Sequence, residues 1–282
     1  MTRRPRRRFA IREQSCMIYT CYEMMRDCRA DRAEGWSYFI SNYVPVLRKL
    51  LAHYFPERAE DQASLDRLLT ALRKPDSSVF GSLEPAPERW FVAELRQAVL
   101  GAMEADRPSA EPEIGIGLEA LGAALEPLTL TEKQAVWLET MRYGPAEAGA
   151  MLRMAPETVG KIREKAASLI RGKAEAWRAS LLADNGRALG IAAAAAGTKD
   201  CPGAKVFLDV LDGRSTWRMR DEMERHATAC WRCIDHFCRL VEAVDLLRGS
   251  QPLSEAETAR FLTLLGIGVE KRPAWKRWFS GT

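Results

Sequence analysis

Four residues in the C-terminal third constrain this chain most: Cys201, His226, Cys230 and Cys233, in the spacing C-x24-H-x3-C-x2-C. A His and a Cys four apart share one face of a helix, and a Cys-x-x-Cys step lets two thiolates converge on one ion. Three sulfurs and one imidazole complete a tetrahedral shell for Zn2+ and leave no position for a substrate. The spacing therefore predicts a structural zinc site; the alternative is four ordinary residues that share no ion. The other cysteines are Cys16, Cys21 and Cys28 near the start and Cys238 just beyond the motif, with none between Cys28 and Cys201. Metal chemistry thus belongs to one module. His236 and Cys238 are candidates for substitute ligands or redox partners, but core packing accounts better for them. Cys21 and Cys28 share an apolar stripe with Met24 and Met25 and read as packing residues. Cys16 has no assigned role, and His53, at the end of an apolar helix, reads as structural.

Elsewhere the apolar residues recur at three- and four-residue spacing, the period of a helix. Such segments run from Ile18 to Cys28, Trp36 to Tyr54, Asp61 to Leu72 and Arg89 to Met103. No alternating pattern of a strand stands out, so the expected fold class is all-α. At 282 residues, with 47% hydrophobic and 28% charged, the chain is too rich in apolar residues for wholesale disorder and long enough for two or three small domains. The alanine run from Leu189 to Gly197 is too short to cross a bilayer. Lys and Arg exceed Asp and Glu by 42 to 38, a net +4 that permits a nucleic-acid partner without arguing for one. Arg3, Arg4, Arg6, Arg7 and Arg8 form a basic tail over 1–12. Arg12, Glu13 and Gln14 follow where an export signal needs an apolar core, so a cytoplasmic protein with reduced or metal-bound thiols is expected. The tail reads as solvated, with weak contact to nucleic-acid backbone as the alternative.

Residues 13–108 form the first helical domain, and the acidic stretch 109–126, broken by Pro and Gly, reads as a linker. In 127–178, Thr131 can cap a first helix. A short helix from Ala146 to Leu152, the turn Arg153-Met154-Ala155 and a further helix opened by Pro156 then read as a helix-turn-helix. Its second helix is expected to expose Glu157, Thr158, Lys161, Arg163 and Lys165 to phosphates and base edges. A helical hairpin with a solvated basic face is the bland alternative. The soft stretch 179–199 reads as a tether, 200–250 as the zinc module, and 251–282 as a C-terminal helix and a basic-aromatic tail. Ser254, with Glu257 three residues on, is a capping-box start for that helix.

The order of these parts resembles an extracytoplasmic-function (ECF) bacterial sigma factor. The likeness is closest in region 4, LTEKQAVWLETMRYGPAEAGAMLRMAPETVGKIREKA. Region 2 is matched by WSYFISNYVPVLRKLLAHYFPERAED and PERWFVAELRQAVLGAM. After Ala59-Glu60-Asp61 the family usually has a Gln-acidic pair that helps to clamp RNA polymerase; here Ser64 and Leu65 stand there. The segment VFLDVLDGRSTWRMRDEMERHATACWRC resembles the zinc-binding anti-sigma domain, normally a separate protein that holds a sigma factor inactive. The resemblance implies two sigma-type helical domains, promoter DNA and RNA polymerase core as partners, and intramolecular contact between the zinc and sigma domains. Trp90 and Phe91 would lie near the melted promoter strand, where aromatic faces can stack on bases; core packing is the competing account.

The resulting expectation is a sigma factor controlled in cis by its zinc domain in response to redox state or metal. A degenerate sigma-like adaptor or anti-sigma regulator is the alternative. A zinc deaminase would need His-x-Glu before Pro-Cys-x-x-Cys; Ala227 and Thr228 follow His226 instead, so no enzyme and no small-molecule substrate are expected. Trp275, Lys276, Arg277, Trp278 and Phe279 mix basic and aromatic residues as membrane anchors do. So short a segment gives marginal affinity, and no membrane contact is expected.

Overall fold

The computed structural model describes residues 19–75, 77–80, 87–104, 116–170, 172 and 187–268. Among the described residues there are thirteen α-helices, two short 3-10 turns and no strand, so the fold is all-α as expected. The basic tail, Cys16 and Trp275–Phe279 lie outside the described residues.

The N-terminal bundle comprises α1 (Cys21–Arg29), α2 (Ala33–Tyr54), α3 (Gln62–Leu72) and α4 (Glu88–Glu104). Thr20 and Glu23 form a capping box at α1, and Asp61 caps α3 through the Ala63 and Ser64 N–H groups. The apolar stripe of α2 is fully buried, with Trp36 set edge-on to Phe39 at 5.6 Å and to Phe80 at 5.3 Å. Helices α1 and α2 cross where Gly35 has no side chain; a Cβ there would fall 2.6 Å from the Cys28 nitrogen. Phe91 belongs to this same core, 5.0 Å from the Tyr43 ring and 1% exposed. The expected base-stacking role of Phe91 is therefore corrected: its ring has no free face.

A second unit follows, α5 (Leu118–Ala124), α6 (Leu130–Thr140), α7 (Pro145–Leu152) and α8 (Pro156–Leu169). The cap of α6 is Thr129, with Glu132 completing the box, and not Thr131. Arg153 ends α7 in the left-handed region at φ 56, and Pro156 opens α8. A Cβ on Gly149 would lie 2.7 Å from the Met154 carbonyl oxygen, so the turn closes tightly on a bare backbone. The stretch 109–126 is not all linker: Leu121 and Leu125, four apart, are fully buried through α5.

The expected tether 179–199 likewise contains a helix, α9 (Arg187–Ala195), whose Leu189 and Ala193 are buried. Its small side chains let it lie against the C-terminal segment. That segment comprises α10 (Ala204–Leu211), α11 (Trp217–Ala229), α12 (Trp231–Leu247) and α13 (Glu255–Leu264). Ser254 caps α13 through the Glu257 N–H at 3.3 Å, as the sequence suggests. Helix α13 crosses α2, where the Leu253 N–H donates to the Ser41 carbonyl at 2.8 Å and Phe261 enters the bundle core. Helix α12 supplies buried side chains to each of the three apolar clusters among the described residues: Leu246 to the first, Ile234 to the second and Leu240 to the third.

Candidate metal centre

Helix α11, capped by Thr216, carries His226 in its last turn. Cys230 then leaves the helix with an extended backbone, φ -121 and ψ 107, and also serves as the N-cap position of α12. That single non-helical residue turns the chain so that Cys233, in the first turn of α12, faces back toward His226. Cys201 comes from a turn in which its N–H donates to the Thr198 carbonyl at 3.1 Å. The ligand atoms of all four residues lie within 4.8 Å of one another. The Cys201 and Cys230 sulfurs are 3.7 Å apart; two Zn–S bonds at a tetrahedral angle place sulfurs about 3.8 Å apart.

The electrostatics favour a cation. Burial would raise the Cys201 thiol, but the Thr198 backbone N–H, His226, the Thr198 hydroxyl and Cys230 together bring it down to about 6. Cys233 moves the other way, pushed up by burial and then by Cys230. Of the His226 ring nitrogens, Nε2 is buried with no hydrogen-bond partner of good geometry. The α12 N-terminus adds partial positive charge that favours thiolates. These four residues can hold a metal ion, and three sulfurs with one nitrogen are compatible with zinc. Protein ligands would fill the whole shell, the arrangement of a structural site.

The other expected site residues fall in different settings. On α8, Glu157, Thr158 and Lys161 are exposed, and Lys165 is exposed while pairing with Glu132 at 2.9 Å. Arg163 is buried, with Nε donating to the Ala135 carbonyl at 3.1 Å. The exposure expected of it is corrected: it lies four residues after Val159 and three before Ala166, on the inward face. Trp90 is half-buried, its ring 4.4 Å from that of His236. His236, held between Trp90 and Phe207, is lowered to about 4 by burial and then by Arg239 and Arg232. Cys28 and Cys238 are buried in cores as expected, and His53 stacks on Tyr143 at 4.1 Å.

Ser64 and Leu65 are also buried, Ser64 donating its hydroxyl to Asp61 at 2.6 Å. Sequence reasoning missed Arg96 and Glu242, a buried ion pair at 2.6 Å between α4 and α12. One signal was available: Glu242 interrupts the otherwise apolar run Leu240, Val241, Ala243.

Fold and site together define an all-helical protein with a Cys3His cluster able to hold a metal ion. No family model, curated protein or solved structure matches the chain. Among the described residues no helix is long and apolar enough to cross a membrane.

Proposed function

We propose that this chain is a sigma-type transcription initiation factor of the ECF kind, regulated in cis by its C-terminal zinc-binding segment. The observation that carries the reading is the α7–α8 turn. Gly149 lets the turn close on the Met154 carbonyl, Arg153 takes the left-handed conformation, and Pro156 opens α8. That compact pairing leaves Glu157, Thr158, Lys161 and Lys165 on the outer face of α8, where a recognition helix carries its contacts. Promoter DNA and RNA polymerase core are the proposed partners, Zn2+ the resident ion and the cytoplasm the proposed location. No reaction is assigned to the chain. Regulation in cis is supported by packing: Lys133 of α6 donates to the Thr228 carbonyl at 2.8 Å, and the Trp137 indole donates to Asp235 at 3.1 Å.

The test is run-off transcription by the full-length protein with purified polymerase core, alongside promoter binding at several salt concentrations. Lys161→Glu should weaken binding and lower the salt slope by about one, the mark of a lost phosphate contact. Lys161 is a cleaner probe than Lys165, whose reversal also breaks its pair with Glu132. A slope equal to that of the unmodified protein would mean that the α8 face is merely solvated. The second reading, an adaptor without initiation activity, is favoured by Ser64 and Leu65, which are spent on capping and packing at the positions of the polymerase clamp. DNA binding with no transcript would select it.

A further inference from the structure

Helix α12 is gripped from two sides at one buried carboxylate. Glu242 has no exposed surface. Its Oε1 accepts from the Tyr54 hydroxyl at 2.5 Å and from the Tyr143 hydroxyl at 2.7 Å. Its Oε2 lies 2.6 Å from Arg96 Nε. Tyr54 ends α2, Arg96 belongs to α4, and Tyr143 follows α6, so one side chain joins the N-terminal bundle, the α6–α8 unit and the metal-bearing segment. The partners are tied to each other as well: Arg96 Nη2 donates to the Tyr54 hydroxyl at 2.8 Å, and Arg142 donates to the Tyr54 carbonyl at 3.1 Å.

A junction of this kind behaves differently from an apolar one when it opens. Parted apolar surfaces face water at a cost that grows with their area. A carboxylate, a guanidinium and two phenols regain hydration instead, which offsets much of the lost pairing. A buried ion pair is thus a weak source of net stability, but any arrangement that buries one partner without the other is strongly disfavoured. Glu242 has two acceptable states: paired with Arg96 and the two phenols, or in water. Its neighbourhood is polar in the same way, since Asp235 on the same helix pairs with Arg239 at 2.5 Å and accepts from Trp137. The aromatic interior of the N-terminal bundle offers no such place to part.

We propose that Glu242 is the latch of an opening motion in which α12 separates from α4 and from the α6–α8 unit, uncovering Trp90, whose ring lies against His236 of α12. The inference rests on the proposed regulation in cis and deepens it. The metal cluster at the start of α12 holds the segment folded, and Glu242 sets how readily that folded segment lets go. Breaking the charge balance shifts the population toward the open form; removing both charges together shifts it toward the closed one.

Full-length, zinc-loaded protein is the material for the test, read by small-angle X-ray scattering and amide hydrogen exchange. Glu242→Gln keeps the side-chain size and leaves Arg96 without its counter-charge in the closed form. It should enlarge the radius of gyration and speed exchange along α4 and α12 by about tenfold or more, with the metal retained. Arg96→Met combined with Glu242→Met leaves no uncompensated charge, only the Tyr54 and Tyr143 hydroxyls without that partner, and should scatter like the unmodified protein and exchange more slowly than Glu242→Gln. Unmodified scattering and exchange in Glu242→Gln overturns the proposal. So does equal opening in the double variant, which would make the site merely structural. If Glu242→Gln does not fold, Tyr143→Phe removes one hydrogen bond only and must still speed exchange at the junction; unchanged exchange there is again fatal. An opened variant that binds no promoter DNA leaves the latch standing and removes the sigma reading, whereas an unopened one that initiates transcription does the reverse.

Discussion

The N-terminal bundle and the C-terminal segment hold their helices by different chemistry. In the bundle, aromatic and aliphatic side chains meet, chiefly from helices that follow one another along the chain. Trp36, Phe39, Tyr43, Phe80 and Phe91 form one continuous aromatic cluster. The C-terminal segment offers less apolar surface of its own: α11 is largely exposed, and its Trp217 is 81% exposed. Beside a small apolar cluster that includes Phe207, Met223 and Leu240, that segment has the Cys3His cluster at one end of α12 and the buried Glu242 toward the other. The difference teaches that one chain can join helices in two ways, by a largely aromatic interior in the bundle and, along α12, by a helix that carries candidate metal ligands at its start and a buried charge farther on.

The largest expected effect comes from the metal. Cys230→Ala with Cys233→Ala should abolish metal retention and unfold α10 to α12, because structural zinc in small modules contributes about 10–16 kcal/mol of apparent binding energy. The near-ultraviolet dichroism of the bundle's aromatic cluster should survive. Loss of both signals together would erase the contrast and make the molecule one cooperative unit. Acid should act in the same sense. With the Cys201 thiol drawn down from 9.0 to about 6, its contribution is complete above the ordinary thiol range and lost as pH falls through about 6. Chelator competition across that interval should show metal retention declining toward acid; a flat profile would remove Cys201 from the shell.

Phe39→Ala probes the other side of the comparison. With no exposed surface and rings on several sides, its loss should cost about 3–5 kcal/mol in urea unfolding, while metal content stays unchanged. A smaller step is Gly149→Ala, which places a methyl 2.7 Å from the Met154 carbonyl. Shifting that turn should cost about 1–3 kcal/mol and weaken the promoter binding proposed for α8 more than global stability. Ser254→Ala should be the mildest, about 1 kcal/mol from the lost cap of α13, seen as faster exchange in α13 with the metal site untouched. A cost as large as that of Phe39→Ala would show that α13 is integral to the bundle.

Some of this molecule was legible before any coordinates. Helical class, the start of α3 at Asp61, the Ser254 cap and the metal cluster all follow from local chemistry, in which periodicity, capping side chains and ligand spacing act over a few residues. Even Cys201, distant from its partners in the chain, was legible because thiols and imidazoles are scarce enough for a set to stand out. Two segments read as connectors, 109–126 and 179–199, are in part packed helices, since Leu121, Leu189 and Ala193 acquire partners only through other elements. Arg163 and Phe91 point inward for a related reason, their direction being set by the neighbours each helix meets. Tertiary structure alone decided that Glu242 would meet Arg96, Tyr54 and Tyr143, four residues scattered from the first quarter of the chain to the last. Glu242 stands out in its apolar run, but nothing local names its partners, and a buried charge becomes tolerable only when packing delivers all of them to one point.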